Sequence, residues 1–225
     1  MFTAFDEEFQ PFFDALGFEG VMQNHSKRSA THQTGNATFF RRSHFALAWT
    51  DHRSRALLVG LKTTAEPAHT LAVANVHLEG HYLEHHTRAS QVKSMLKQLE
   101  KKSSDACIVC GDFNHSLSGS LEAILLDRSI EAGYTQDDVV VVKEAFKHSI
   151  EFSSAYGKDK TPSFVMPPTS HYRLDHILFT HQALQTAAVL DVMPDEDRDE
   201  IMQHSLPNRR YPSDHLTVGA SFVWL

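Results

Sequence analysis

The run Ala106-Cys-Ile-Val-Cys110 is apolar at every position and stops abruptly at Gly111-Asp112-Phe113-Asn114. A short apolar run closed by turn residues reads as a strand buried on both faces, so the chain has to supply a covering layer on each side of it. Neighbouring segments can do so. Ala37 to Phe40, Phe45 to Trp49, Ala56 to Leu61, Leu71 to Leu78, Leu174 to Phe179, Ala187 to Val192 and Leu216 to Trp224 also read as strands. Between them, Glu84 to Lys101 carries Ala89, Val92, Leu96 and Leu99 at helical spacing. Leu121 to Leu126 reads as a shorter helix, and Phe5, Phe9, Phe12, Phe13 and Leu16 read as one apolar helix face ended by Gly17. Thr3 and Asp6 resemble a capping box at its start. The polar, basic stretch from about Asn24 to Gly35 reads as a loop, Val139 to Pro168 as a long unpatterned excursion, and Pro194 to Glu200 as a solvated charged loop. The pattern predicts an α/β (α+β) fold: a two-sheet β-sandwich flanked by helices.

At 225 residues, 41% of them apolar, one domain over residues 1–225 is expected. The net charge of −7 argues against a coat of basic residues wrapping nucleic acid, though not against an enzyme that grips one phosphate. Cys107 and Cys110 form a lone CxxC whose members face opposite sides of a strand, so they read as core cysteines. The N-terminus has no signal-peptide pattern and no apolar run reaches membrane-spanning length. An intracellular location, cytoplasmic or nuclear, with no membrane partner is therefore expected.

Four polar clusters stand where apolar strands end: Asn75/His77, Asp112/Asn114, Asp175/His176 and Asp214/His215. Together they offer carboxylates for a hard cation, histidines for phosphate contact or proton transfer, and amides for orientation, the inventory of metal-assisted phosphoester hydrolysis. Each has a plainer reading. Gly-Asp-x-Asn favours turns on its own, Asn75 can brace a loop, and one histidine among sixteen means little. Asp175 resists dismissal, because an unpaired carboxylate inside an apolar strand is costly. His81, His85 and His86 read as a solvated polar group leading into a helix.

Asn75-Val-His-Leu78, Cys110-Gly-Asp-Phe-Asn114, Leu174-Asp-His-Ile177 and Pro212-Ser-Asp-His-Leu216 resemble, in order, the signature motifs of the endonuclease/exonuclease/phosphatase superfamily. Gly35-Asn-Ala-Thr-Phe-Phe-Arg41, Arg88-x-x-Gln91-x-x-x-Met95 and Ser205-Leu-Pro-Asn208 resemble its deadenylase, Nocturnin and Angel branch. The resemblance implies a deoxyribonuclease-I-like fold and a Mg²⁺- or Mn²⁺-dependent phosphodiester hydrolase, a 3′-exoribonuclease on single-stranded RNA or a nucleotide. It implies that Asp112 orients or deprotonates the attacking water and that Asn114, with His77, holds phosphate oxygens. Asp214, together with Asp112, would bind metal. His215 would contact the scissile phosphate with Asp175 fixing its tautomer, Asn75 would brace the substrate site, and His176 would be structural.

Two departures accompany the resemblance. The family's Gln-Glu motif, whose glutamate ligates metal, normally precedes the helix that starts here near Phe5, so the sequence reads as N-terminally truncated with weakened Mg²⁺ binding. Glu7 and Glu8 fall on the helix and substitute poorly. The proline that stacks on adenine in deadenylases is replaced within Glu79-Gly-His-Tyr-Leu83, leaving His81 or Tyr82 to stack. Two alternatives stay open: a phosphatase or phosphodiesterase acting on a nucleotide cofactor, an inositol phosphate or a DNA–protein adduct, and a non-catalytic interaction module on the same fold.

Overall fold

A computed structural model describes residues 4–24, 35–166 and 170–225. Thr3, the basic residues His25, Lys27 and Arg28, and the end of the excursion at Pro168 lie outside them.

The chain opens with a wide helical turn, Phe5–Phe9, that tightens into α1, Gln10–Ala15, and Gly17 at φ +82° turns it back. β1 (Phe18–Met22) and β2 (Ala37–Arg41) form an antiparallel pair. β3 (Phe45–His52), β4 (Ala56–Thr63) and β5 (Thr70–His77) make a meander. α2 (His85–Lys101) then crosses to β6 (Ala106–Asp112), parallel to β5. α3 (Gly119–Leu125) is followed by four two-residue strands, β7 (Ser129–Ile130), β8 (Thr135–Gln136), β9 (Val139–Val140) and β10 (Phe146–Lys147). β11 (Phe152–Ser154), β12 (Phe164–Met166), β13 (Ser170–Tyr172), β14 (Asp175–Thr180), β15 (Leu184–Val189), α4 (Asp195–His204) and β16 (Ala220–Trp224) complete the described elements.

Six strands form the central sheet in the order β11-β14-β6-β5-β4-β3. Its two faces are both covered, which is why β4 and β6 need no alternation of polarity. On one side Ala56, Leu58, Ala74, Val76, Cys107 and Val109 meet the α2 stripe of Ala89, Val92, Met95, Leu96 and Leu99. Burying each Val, Leu or Met of that stripe contributes about 1.5–3 kcal/mol. On the other side Leu57, Val59, Leu61 and Leu71 meet Phe40 from β2 and Leu184 from β15. The second layer is made of two separate pairs, β1-β2 and β15-β16, where the strand pattern alone suggested one sheet.

Three local expectations are corrected. The N-terminal apolar residues do not share one buried face. Phe5 and Phe13 pack on Phe39, while Phe9, Phe12 and Leu16 stay exposed on a face that nothing among the described residues covers. The charged run after Pro194 is helix α4, not a solvated loop, and it buries Ile201 and Asp197 completely or nearly so. His85 is not solvated either: it is 2% exposed, held by Arg88 and Asp137. Cys107 and Cys110 do face opposite cores, and burial pushes both thiols up to about 11.

Candidate active site

The site begins as a matter of register. β5 runs parallel to β6 with His77 beside Asp112, and β14 runs antiparallel with Asp175 beside Asp112. Cross-strand partners in a ladder point to the same face. Three residues far apart in sequence therefore form one row across the end of the central sheet. The row faces the two strand pairs, the side that also takes Leu71, Ile108 and Ile177, whereas His176 and Phe113 point toward the helices.

Gly111 makes the row fit. Its φ is +130°, and a Cβ there would lie 2.1 Å from the Val76 carbonyl oxygen. No other residue allows β5 and β6 to approach so closely just before Asp112. The chain then leaves the sheet through Asn114, whose φ of +50° suits asparagine and whose backbone N–H donates to Asp112 Oδ1 at 2.7 Å.

His215 joins the row from a loop. Its Nδ1 lies 2.7 Å from Asp175 Oδ2, and ligand atoms of Asp112, Asp175 and His215 all fall within 4.8 Å of one another. His77 Nε2 stands 3.6 Å from Asp112 Oδ2 at the more open rim. The electrostatics follow from this packing. Burial pushes the Asp112 carboxyl up, the Asn114 N–H bond opposes that, and the Asp175 charge adds to it. His215 is raised, chiefly by its hydrogen bond to Asp175. His176 is driven down to about 4 by burial, and its Nε2 is 3.1 Å from the His115 carbonyl, a neutral structural donor.

The remaining candidates divide. Asn114 Nδ2 donates to Leu78 O at 3.0 Å, which leaves its second N–H available. Asn75 Nδ2 donates to Ala37 O at 2.9 Å, tying β5 to β2, so its amide braces the second layer. Asp214 is exposed and stands outside the Asp112, Asp175, His215 group.

Several residues that support the site are not apparent from the sequence. Ser163, fully buried, hydrogen-bonds Asp175 Oδ2 at 2.6 Å. Arg88, also buried, donates to the carbonyls of Glu79, His81 and Tyr82 and to His85 Nδ1. It thereby turns the loop after β5 inside out, so that the His81 and Tyr82 rings stack with centroids 5.2 Å apart and Tyr82 stays 70% exposed. That loop lies against Asn114: a methyl on Gly80 would sit 3.6 Å from Asn114 Oδ1. Asp197 accepts from Arg210 and the Tyr211 hydroxyl, anchoring the segment that leads to His215. The paired Arg88-x-x-Gln91 spacing was the one available signal among these, since Gln91 Oε1 also holds the loop through Glu79 N–H.

Known proteins share this arrangement of chain. Mouse 2′,5′-phosphodiesterase 12 is 25% identical over 266 residues, covering 99% of this chain and 42% of its own. The CCR4-Not complex 3′-5′-exoribonuclease subunit Ccr4 of Candida albicans is 23% identical, covering 97% and 34%. This chain thus spans less than half the length of these curated relatives. The crystal structure of ANGEL2, a 2′,3′-cyclic phosphatase, in complex with adenosine-2′,3′-vanadate, matches the fold with a TM-score of 0.76 at 19% identity, over 97% of this chain and 78% of that one. These similarities lie in the branch of deadenylases, Nocturnin and Angel proteins to which the motifs pointed. The Endonuclease/Exonuclease/phosphatase family model matches residues 8–215, and the chain belongs to that family.

Proposed function

We propose that this chain is a phosphodiester hydrolase acting on the 3′ end of single-stranded RNA or on a related nucleotide. The observation that carries the reading is the row His77, Asp112, Asp175, joined by His215 through a 2.7 Å bond to Asp175. It gathers two carboxylates and two imidazoles in one place, which supports a reading of one as base and another as phosphate contact.

The donor set fits a divalent cation such as Mg²⁺ or Mn²⁺. Two half-buried carboxylates stand side by side, and the burial that chiefly raises Asp112, with the Asp175 charge adding to it, is what a bound cation offsets. Asp175 Oδ2 is already engaged by His215 and Ser163, so Asp112 would hold the ion directly, and Asp214, which stands outside the group, would act on it through water. When bound, the cation supplies stabilisation of negative charge on the phosphate.

The chain's own residues do the rest. Asp112, raised by burial, is poised to orient the attacking water and take its proton. Asp175 accepts the Nδ1 proton of His215, which leaves Nε2 to meet a phosphate oxygen as a charged donor. Asn114 and His77 contribute further donors from the turn and the rim. The exposed His81/Tyr82 pair offers a face on which a base stacks, a contact worth about 1–3 kcal/mol per base. The kinship with an exoribonuclease subunit and with a 2′,5′-phosphodiesterase supports an RNA-like substrate.

A second reading, phosphate removal from a small nucleotide, is favoured by the net charge of −7 and by the fold shared with ANGEL2, a 2′,3′-cyclic phosphatase. The test is to incubate the chain with Mg²⁺ and either 5′-labelled oligoadenylate or a nucleotide phosphate. Stepwise shortening of the oligomer, lost by at least about 10³-fold in Asp112→Ala, is expected. Phosphate release without shortening selects the second reading. Absence of both reactions in a folded protein points to a binding module.

A further inference from the structure

We infer that Ser163 is a positioning residue of this site, acting through Asp175 to fix the tautomer and aim of His215. A hydroxyl has one proton and two lone pairs. The Leu174 and Asp175 N–H groups approach Ser163 Oγ at 3.1 and 3.0 Å and occupy the lone pairs. Its proton is therefore committed to Asp175 Oδ2, 2.6 Å away.

That oxygen receives a second donor, His215 Nδ1, at 2.7 Å. With two donors converging on it, Oδ2 has no room for a proton of its own. The His215 proton must then reside on Nδ1, and Nε2 is the nitrogen presented to the site. Without Ser163 the carboxylate loses this constraint, and it can turn about its Cβ–Cγ bond or protonate on the oxygen that serves His215.

The backbone of Ser163 reinforces the assignment. Its carbonyl accepts from Leu216 N–H at 2.6 Å, and its N–H donates to Tyr172 O at 3.0 Å. Phe164 forms an isolated bridge with His215, with ring centroids 5.1 Å apart. One residue, 0% exposed, thus clips together the start of β14 and the loop that carries His215. A serine needed only to pack there would have no reason to aim its proton at the carboxylate oxygen that the histidine already shares.

The rate arm of the test rests on the phosphodiester reading; the spectroscopic arm does not. By NMR on ¹⁵N-histidine-labelled protein, the native chain should show a low-field, slowly exchanging proton on His215 Nδ1, and that proton should stay on Nδ1 when the ring loses its Nε2 proton as the pH is raised. In Ser163→Ala that proton should broaden or vanish while the His176 and His148 signals stay in place. In hydrolysis, Ser163→Ala should lower kcat by roughly 10-fold with KM nearly unchanged, and should cause no further loss when added to Asp175→Asn, because both act on one contact. Should Ser163→Ala fail to fold, Ser163→Cys, similar in shape and a weak donor, takes its place with the same readouts. An unchanged His215 signal, or losses that simply multiply with those of Asp175→Asn, would overturn the assignment. If no phosphodiester is cleaved at all, the His215 signal still decides the role of Ser163.

Discussion

The candidate site has two halves built by different means. His77, Asp112 and Asp175 sit on β5, β6 and β14, where ladder register places each beside the next. His215, Ser163 and the segment from Ser205 to Tyr211 sit on loops, where position depends on particular side-chain bonds. A strand fixes its side chains cooperatively, through every hydrogen bond of the sheet. A loop residue is only as well placed as its few partners. The strand half should therefore fail all at once, through the backbone, and the loop half by degrees, one contact at a time.

The largest effect should come from breaking the row at its backbone. Gly111→Ala puts a methyl 2.1 Å from the Val76 carbonyl at a φ that disfavours any side chain, so β5 and β6 must separate where His77 and Asp112 meet. The expected loss is about 3 kcal/mol or more in urea unfolding, with hydrolysis lost together with stability. A near-native midpoint would show that the two strands tolerate more distance than the register implies.

A smaller effect should come from the loop half. Asp197→Ala removes the acceptor of Arg210 and Tyr211 and leaves the Tyr211 hydroxyl without its partner, while the central sheet is untouched. Since Arg210 is half exposed, the cost should be about 2 kcal/mol, less than for a fully buried pair. Turnover should fall several-fold as the loop before His215 loosens, with the row intact by hydrogen exchange in β5 and β6. Loss of protection in those strands would mean that the two halves are not separable.

The same division explains what the sequence could reveal. The row was legible because each member stands at the end of an otherwise apolar run, and a costly polar residue at a strand end is visible in one dimension. The α2 stripe was legible from its own periodicity. Ser163 was not, because it lies in an unpatterned stretch and its meaning comes from Asp175, twelve residues on, and from His215 beyond that. Asp197 was hidden inside a charge run, where only tertiary contact distinguishes the buried carboxylate from its exposed neighbours Asp195 and Glu196. His85 was masked by adjacent histidines that do face solvent, its burial being set by Arg88 and by the tip of the β8–β9 turn. The exposed Phe9, Phe12 and Leu16 mark the opposite error, since apolar spacing reports a helix face but not what covers it.

If row and loop together make one cation-assisted site, paramagnetic Mn²⁺ should reveal it. Substoichiometric Mn²⁺ added to the ¹⁵N-labelled chain should broaden the signals of His77, Asp112, Asp175 and His215 first and together, and Asp112→Ala should abolish that selective broadening. Broadening centred on the acidic surface of α4 at Asp195, Glu196 and Asp199, or unchanged by Asp112→Ala, would contradict the account.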